Sequence, residues 1–131
     1  MIGPKILIVD DDPDLLLGLK LRLKASGYQV VTAMDVKSAI SVAMEETPHI
    51  IILDIGLPDG DGFDVMQRLK EVMTIRIPVV ILSGRDPKTN IEQACIGGAE
   101  AYFLKPADND ELIDEIDRTL KHSYQLNTQL V

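Results

Sequence analysis

A chain of 131 residues is long enough for one domain with a buried core, and 46% hydrophobic with 26% charged residues excludes a disordered polymer. The formal net charge of −8 argues against a nucleic-acid surface, which needs clustered Lys and Arg. Cys95 is the one cysteine, so an internal disulfide and a Cys-rich metal site are both excluded.

The opening residues, Met1 to Lys5, show no charged segment followed by a long apolar one, so no signal peptide is expected. The first predicted strand, Lys5–Val9, is almost wholly apolar and runs into Asp10, Asp11 and Asp12. Asp12 followed by Pro13 reads as an N-cap with proline at the first helical position, and Gly27 marks that helix's end. On this helix Leu15, Leu19 and Leu23 are expected to face the core. Leu17 and Leu21 point the other way, either as ordinary exposed leucines or as a docking surface. The second strand is Gln29–Ala33.

The third strand, His49–Leu53, and the fourth, Val79–Leu82, are apolar nearly throughout, as parallel strands buried on both faces are. Asp54 follows the third and Ser83 the fourth. Between them Asp59, Asp61 and Asp64 resemble part of a calcium loop. Phe63 and Lys70 stand where oxygen ligands are needed, so turn chemistry is the better account. Asp86 and Pro87 open the fourth helix, and the Gly97-Gly98 pair closes it. Within it Cys95 is expected to be a small core residue beside Ile91 and Ala94. The fifth strand, Ala101–Leu104, leads to Lys105. Asp108 with Glu111 reads as a capping box for the last helix, where Leu112, Ile113, Ile116 and Leu120 share a face. His49 and His122 have no metal-ligand spacing. Residues 1–121 read as one domain, and 122–131 as a C-terminal tail or the start of a linker. No apolar run is long enough to span a bilayer, so a cytoplasmic protein without membrane contact is expected.

Strands alternating with helices predict an α/β fold, and right-handed crossovers make it a doubly wound parallel sheet. Ligands in such sheets bind at the carboxyl ends of the strands. Asp10, Asp11, Asp54, Ser83 and Lys105 all fall there. Carboxylates at close range repel, and a hard divalent cation such as magnesium relieves this with an all-oxygen ligand set. Metal, ammonium and hydroxyl together suit a phosphoryl group, with Asp54 as the nucleophile.

These residues lie in four stretches, KILIVDDDP (5–13), ILDIGLPDGDGFDV (52–65), PVVILSGRD (78–86) and GAEAYFLKP (98–106). In that order and spacing the sequence resembles the response-regulator receiver family of two-component signalling, over about residues 4–121. The resemblance implies a flavodoxin-like sheet of five strands in order 2-1-3-4-5 with five helices. It implies a phosphorylation-activated switch in which Asp54 is the phosphoacceptor. Magnesium, with manganese as an alternative, would be held by Asp10, Asp11, Asp54 and the backbone carbonyl of Gly56. Ser83 is the switch hydroxyl, Lys105 the lysine that pairs with the phosphoryl group, and Lys105–Pro106 a cis peptide. Tyr102 takes the switch aromatic position, although a plain half-buried strand aromatic is the other reading. Gly84 fits the small residue beside the phosphoryl pocket.

Gly56 and Arg85 depart from, or vary within, the family pattern at positions that tune the lifetime of the phosphorylated state. Gly18 and Arg22 stand on the first helix where the family often has apolar residues. The implied donor is a histidine kinase or histidine phosphotransfer protein. The implied receiver of the signal is an output domain, a downstream protein or a phosphorylation-dependent dimer, with no direct nucleic-acid contact. Such domains catalyse only their own phosphorylation and dephosphorylation, without enzymatic turnover. The alternative is an aspartyl-phosphate enzyme of haloacid-dehalogenase type, but that chemistry needs an acid where Gly56 stands.

Overall fold

In the computed structural model the described residues are 3–130, with side chains as far as His122. The elements in chain order are β1 (Lys5–Val9), α1 (Pro13–Ala25), β2 (Gln29–Ala33), α2 (Val36–Glu46), β3 (Ile50–Leu53), β4 (Gly56–Leu57), β5 (Gly60–Asp61), α3 (Gly62–Val72), β6 (Val79–Ser83), α4 (Pro87–Gly97), β7 (Ala101–Leu104) and α5 (Asn109–Leu130). Five strands form one parallel sheet in the order β2-β1-β3-β6-β7. This is the expected doubly wound arrangement. The short pair β4 and β5 is an addition, an antiparallel hairpin in a segment that reads in the sequence only as turn.

The strand period of two divides the sheet's side chains between two cores. Leu7, Val9, Ile51, Leu53 and Ile81 meet α2, α3 and α4 on one face. Ile6, Ile8, Ile52, Val80 and Leu82 meet α1 and α5 on the other. Both faces of the central strands are therefore dry, which is why those strands are continuously apolar.

Helix ends follow their local signals. The Asp12 carboxylate accepts from Asp14 N–H and Leu15 N–H, and Asp86 accepts from Lys88 N–H. Asp108 accepts from Asp110 N–H and Glu111 N–H at the start of α5, a one-sided cap rather than the expected capping box, because the Glu111 carboxylate does not turn back to the Asp108 N–H. Gly27 and Gly98, at φ of 95° and 86°, take the left-handed conformation that ends α1 and α4. His49 lies just before β3 rather than in it, and its Nδ1 accepts from the Lys5 N–H at 2.9 Å.

Two further expectations need correction. The buried line of α1 is Leu16, Leu19 and Leu23, while Leu15 is only partly buried. A tilt of the helix by one position exchanges them, and spacing alone does not fix that rotation. Leu17 and Leu21 are exposed as expected. Cys95 is also exposed, because α4 presents only Ala94 as a buried side chain. The backbone of α5 continues as a helix to Leu130, through most of the segment read as tail or linker. The side chains of 123–131 lie outside the described residues.

Candidate functional site

Strand register brings the functional side chains together. Val9 pairs with Leu53, so the residues that follow, Asp10 and Asp54, emerge side by side. The Asp54 N–H donates to Val9 O at 2.9 Å, continuing that ladder by one residue. Ser83 pairs with Leu104, and the Lys105 N–H donates to Ser83 O at 2.9 Å, which delivers Lys105 to the same edge. The Lys105–Pro106 peptide is cis.

Lys105 Nζ donates to Asp10 Oδ2 at 2.6 Å and to Asp54 Oδ2 at 3.1 Å. Asp10, Asp54 and Ser83 are buried, whereas Asp11 is exposed. The other Asp10 oxygen accepts from the Asp12 N–H at 2.9 Å, and Asp54 Oδ1 accepts from the Gly56 N–H at 3.4 Å. Burial raises the Asp10 carboxyl above the usual carboxylate range, and the nearby Asp54 charge adds to this against the Lys105 hydrogen bond. For Lys105, burial works downward, but hydrogen bonds and attraction from the two carboxylates outweigh it and leave the amine raised.

One ligand oxygen each from Asp10, Asp11 and Asp54 lie within 4.8 Å of one another. Three carboxylates face a single ammonium in this cluster, so its charge balance favours a divalent cation. An all-oxygen donor set with an exposed member, Asp11, suits magnesium, which binds few carboxylates and keeps several waters. The residues present therefore fit the ion that the sequence implies.

The hairpin completes the edge. Gly62 N–H donates to Ile55 O at 2.8 Å, and a Cβ at Gly62 would lie 2.5 Å from the Asp54 carbonyl oxygen. Only glycine allows α3 to begin so close beneath the residue that carries the candidate nucleophile. This role of Gly62 is invisible in the sequence, because the contact depends on how the hairpin folds back. Gly56 pairs with Asp61 across the hairpin, next to the Gly62–Ile55 hydrogen bond, and its N–H is the one that reaches Asp54 Oδ1.

Ser83 and Tyr102 both bond to the backbone of one residue, Arg85. Ser83 Oγ accepts from the Arg85 N–H at 3.3 Å, and the Tyr102 hydroxyl donates to the Arg85 carbonyl at 2.7 Å. Burial raises the Tyr102 hydroxyl pKa, against the lowering effect of Ser83. Tyr102 is part-buried against the α2–α3–α4 core, so it is a half-buried strand aromatic that also reaches the site's edge. The Arg85 side chain passes Gly56, its Nε 3.7 Å from where a Gly56 Cβ would stand. Gly84 is exposed, and a Cβ there would meet nothing within 4 Å, so packing in this state does not demand glycine.

Asp61 and Asp64 form a capping box at the start of α3, consistent with turn chemistry rather than a calcium loop. An apolar cleft of about 330 Å³, lined by Met66, Leu69, Met73, Ile77 and Val79, opens near the amino end of β6. It is remote from the carboxylates, which gather at the opposite ends of the strands. Among the described residues no helix is long and apolar enough to cross a membrane.

Comparison with known proteins gives a consistent picture. The family described as "Response regulator receiver domain" matches residues 6–117. The transcriptional regulatory protein KdpE of Mycobacterium tuberculosis is 36% identical over 118 residues, covering 90% of this chain and 51% of the relative. The response regulator PleD of Caulobacter vibrioides is 39% identical over 109 residues, covering 82% of this chain and 24% of the relative. The chain thus spans about half the length of KdpE and less of PleD. Among solved structures, a CheY-like receiver domain protein from Methanospirillum hungatei superposes with a TM-score of 0.88 at 26% identity, covering 94% of this chain and 98% of that one.

Proposed function

The chain belongs to the response regulator receiver family, whose domains are phosphorylation-dependent signalling switches, and from that premise we propose that Asp54 is its phosphoacceptor. The observation that carries the assignment is the Asp10–Lys105–Asp54 bridge at the sheet's carboxyl edge. In the transfer an Asp54 oxygen bonds to the donor's phosphorus as the bond to the donor breaks, and the donor departs with that electron pair. Lys105, already bonded to Asp54, neutralises the incoming phosphoryl oxygens. Magnesium bound by Asp10, Asp11, Asp54 and the Gly56 carbonyl would supply the positive charge that lets carboxylate and phosphoryl group approach. The donor is a histidine kinase or histidine phosphotransfer protein, and the exposed Leu17 and Leu21 on α1 offer it an apolar contact. The domain runs from the start of the chain to about residue 121.

The reading as a haloacid-dehalogenase-type enzyme is not favoured. Gly56 offers no side-chain acid two residues after Asp54, and the whole-domain match is to receivers. The self-catalysed reaction is limited to gain and loss of one phosphoryl group. Arg85 and Gly56 together set how easily water reaches Asp54, and so how long the phosphorylated state lasts.

The switch itself runs through Arg85. A phosphoryl group on Asp54 draws the Ser83 hydroxyl inward to donate to one of its oxygens, and that rotation carries Oγ away from the Arg85 N–H. Release of the Arg85 N–H frees that residue's backbone to shift, which loosens the Tyr102 bond to its carbonyl. The face formed by α4, β7 and α5 then changes shape, and an output domain, a downstream protein or a second copy reads it. Such a shift requires two conformations within a few kcal/mol of each other. Ser83→Ala should therefore bind beryllofluoride, a phosphate mimic, at Asp54 yet leave the Tyr102 ring resonances unmoved. Wild type should show them displaced. Equal displacement in both proteins would remove Ser83 from the switch.

A further inference from the structure

We infer that Asp59 is a positioning residue for the phosphorylation site, clamping the hairpin that carries Gly56 onto the amino end of α2. The inference rests on the reading of the Gly56 carbonyl as a metal ligand given above.

Asp59 sits in the two-residue connection between β4 and β5. Its Oδ1 accepts from the Val36 N–H at 2.7 Å and its Oδ2 from the Lys37 N–H at 3.1 Å. These are the first two orphan donors of α2, and the third, Ser38 N–H, is taken by Asp35 at 2.7 Å. Two carboxylates from different segments thus share one helix end, where a local cap needs only one. Asp59 is exposed and could be hydrated by water instead. It is held at the positive end of the helix dipole, and hydrogen bonds from Val36 and then Lys37 keep its carboxyl below the usual range despite some desolvation.

The hairpin needs that anchor. A pair of two-residue strands is marginal by itself. Its base is fixed by the Gly62 N–H bond to Ile55 O and by the fit of Gly62 under the Asp54 carbonyl. Its tip is fixed by Asp59, and by Gly60, where a Cβ would stand 3.1 Å from the Val36 side chain. Gly56 lies between base and tip. Loss of the tip anchor lets the strand bearing the Gly56 carbonyl swing while the three aspartate ligands at the sheet edge stay in place.

The test compares magnesium affinity by calorimetric titration in wild type, Asp59→Ala and Asp35→Ala, with amide hydrogen exchange on each. Asp35→Ala uncaps the same helix without touching the hairpin, so it controls for a merely structural effect. Asp59→Ala should weaken magnesium binding about tenfold, as loss of a residue supporting a ligand does, and should speed exchange of the Gly62 amide. Asp35→Ala should leave both near wild type. Unchanged affinity in Asp59→Ala, or an equal loss in Asp35→Ala, overturns the inference while the metal site stands. Failure of wild type to bind magnesium overturns the metal reading and the inference with it.

Discussion

Replacing Lys105 with alanine is expected to cost the domain both stability and phosphorylation. The ammonium bridges two buried carboxylates, at 2.6 Å to Asp10 and 3.1 Å to Asp54. Removing one partner of a buried pair typically costs several kcal/mol, because the remaining charge keeps its desolvation penalty. Lys105 retains 24% of its side-chain exposure, so water compensates in part. A destabilisation of about 2 kcal/mol in metal-free protein is the expected result. Magnesium should recover much of it, since a cation that binds the folded state alone stabilises by mass action and the variant's site is more negative. Chemical denaturation with and without magnesium reads both quantities. Phosphorylation from a small phosphodonor should fall by about a hundredfold, the scale for losing one group aimed at developing charge. Unchanged stability and unchanged labelling would contradict the bridge as the centre of the site.

Asp11→Ala is expected to do the opposite to stability while still removing function. Asp11 is exposed and makes no ion pair among the described contacts, so its removal breaks no bond that holds the fold. It does take away one of three mutually repelling carboxylates. Metal-free Asp11→Ala should unfold at the same or a slightly higher denaturant concentration than wild type. Its magnesium affinity should drop by at least tenfold, and phosphorylation should drop with it. Titration calorimetry and phosphoryl labelling at matched magnesium concentrations check the pair of outcomes. Retained magnesium affinity would place the ion elsewhere.

The two substitutions separate what the sequence reveals from what it hides. The five strands and the positions of Asp10, Asp54, Ser83 and Lys105 were legible from apolar runs and the residues that end them, whereas the strand order came with the family resemblance. The strand-end rule then places those residues together, and the register of Val9 with Leu53 is its physical content. Local caps such as Asp12 and Asp86 were legible for the same reason, since the donor lies two or three residues away.

Long-range contacts were not legible. Asp59 reaches α2 across 23 residues, and nothing in its immediate surroundings distinguishes that role from an ordinary turn aspartate. Gly62 looks like a turn glycine until the Asp54 carbonyl is seen above it. The joint hold of Ser83 and Tyr102 on Arg85 depends on loop geometry rather than spacing. The core rotation of α1 and the exposure of Cys95 fail for a related reason. A helix with apolar residues on several sides, as in Leu15 to Leu17, does not announce which side the sheet will choose.

The central claim is that Asp54 carries the phosphoryl group. The most direct measurement is to treat the protein with a small phosphodonor and magnesium, then locate the label by mass spectrometry of acyl-phosphate-containing peptides. One phosphoryl group on the peptide bearing Asp54, absent in EDTA and absent from Asp54→Asn, is the predicted result. Label on another residue, or labelling of Asp54→Asn at the wild-type rate, would contradict it.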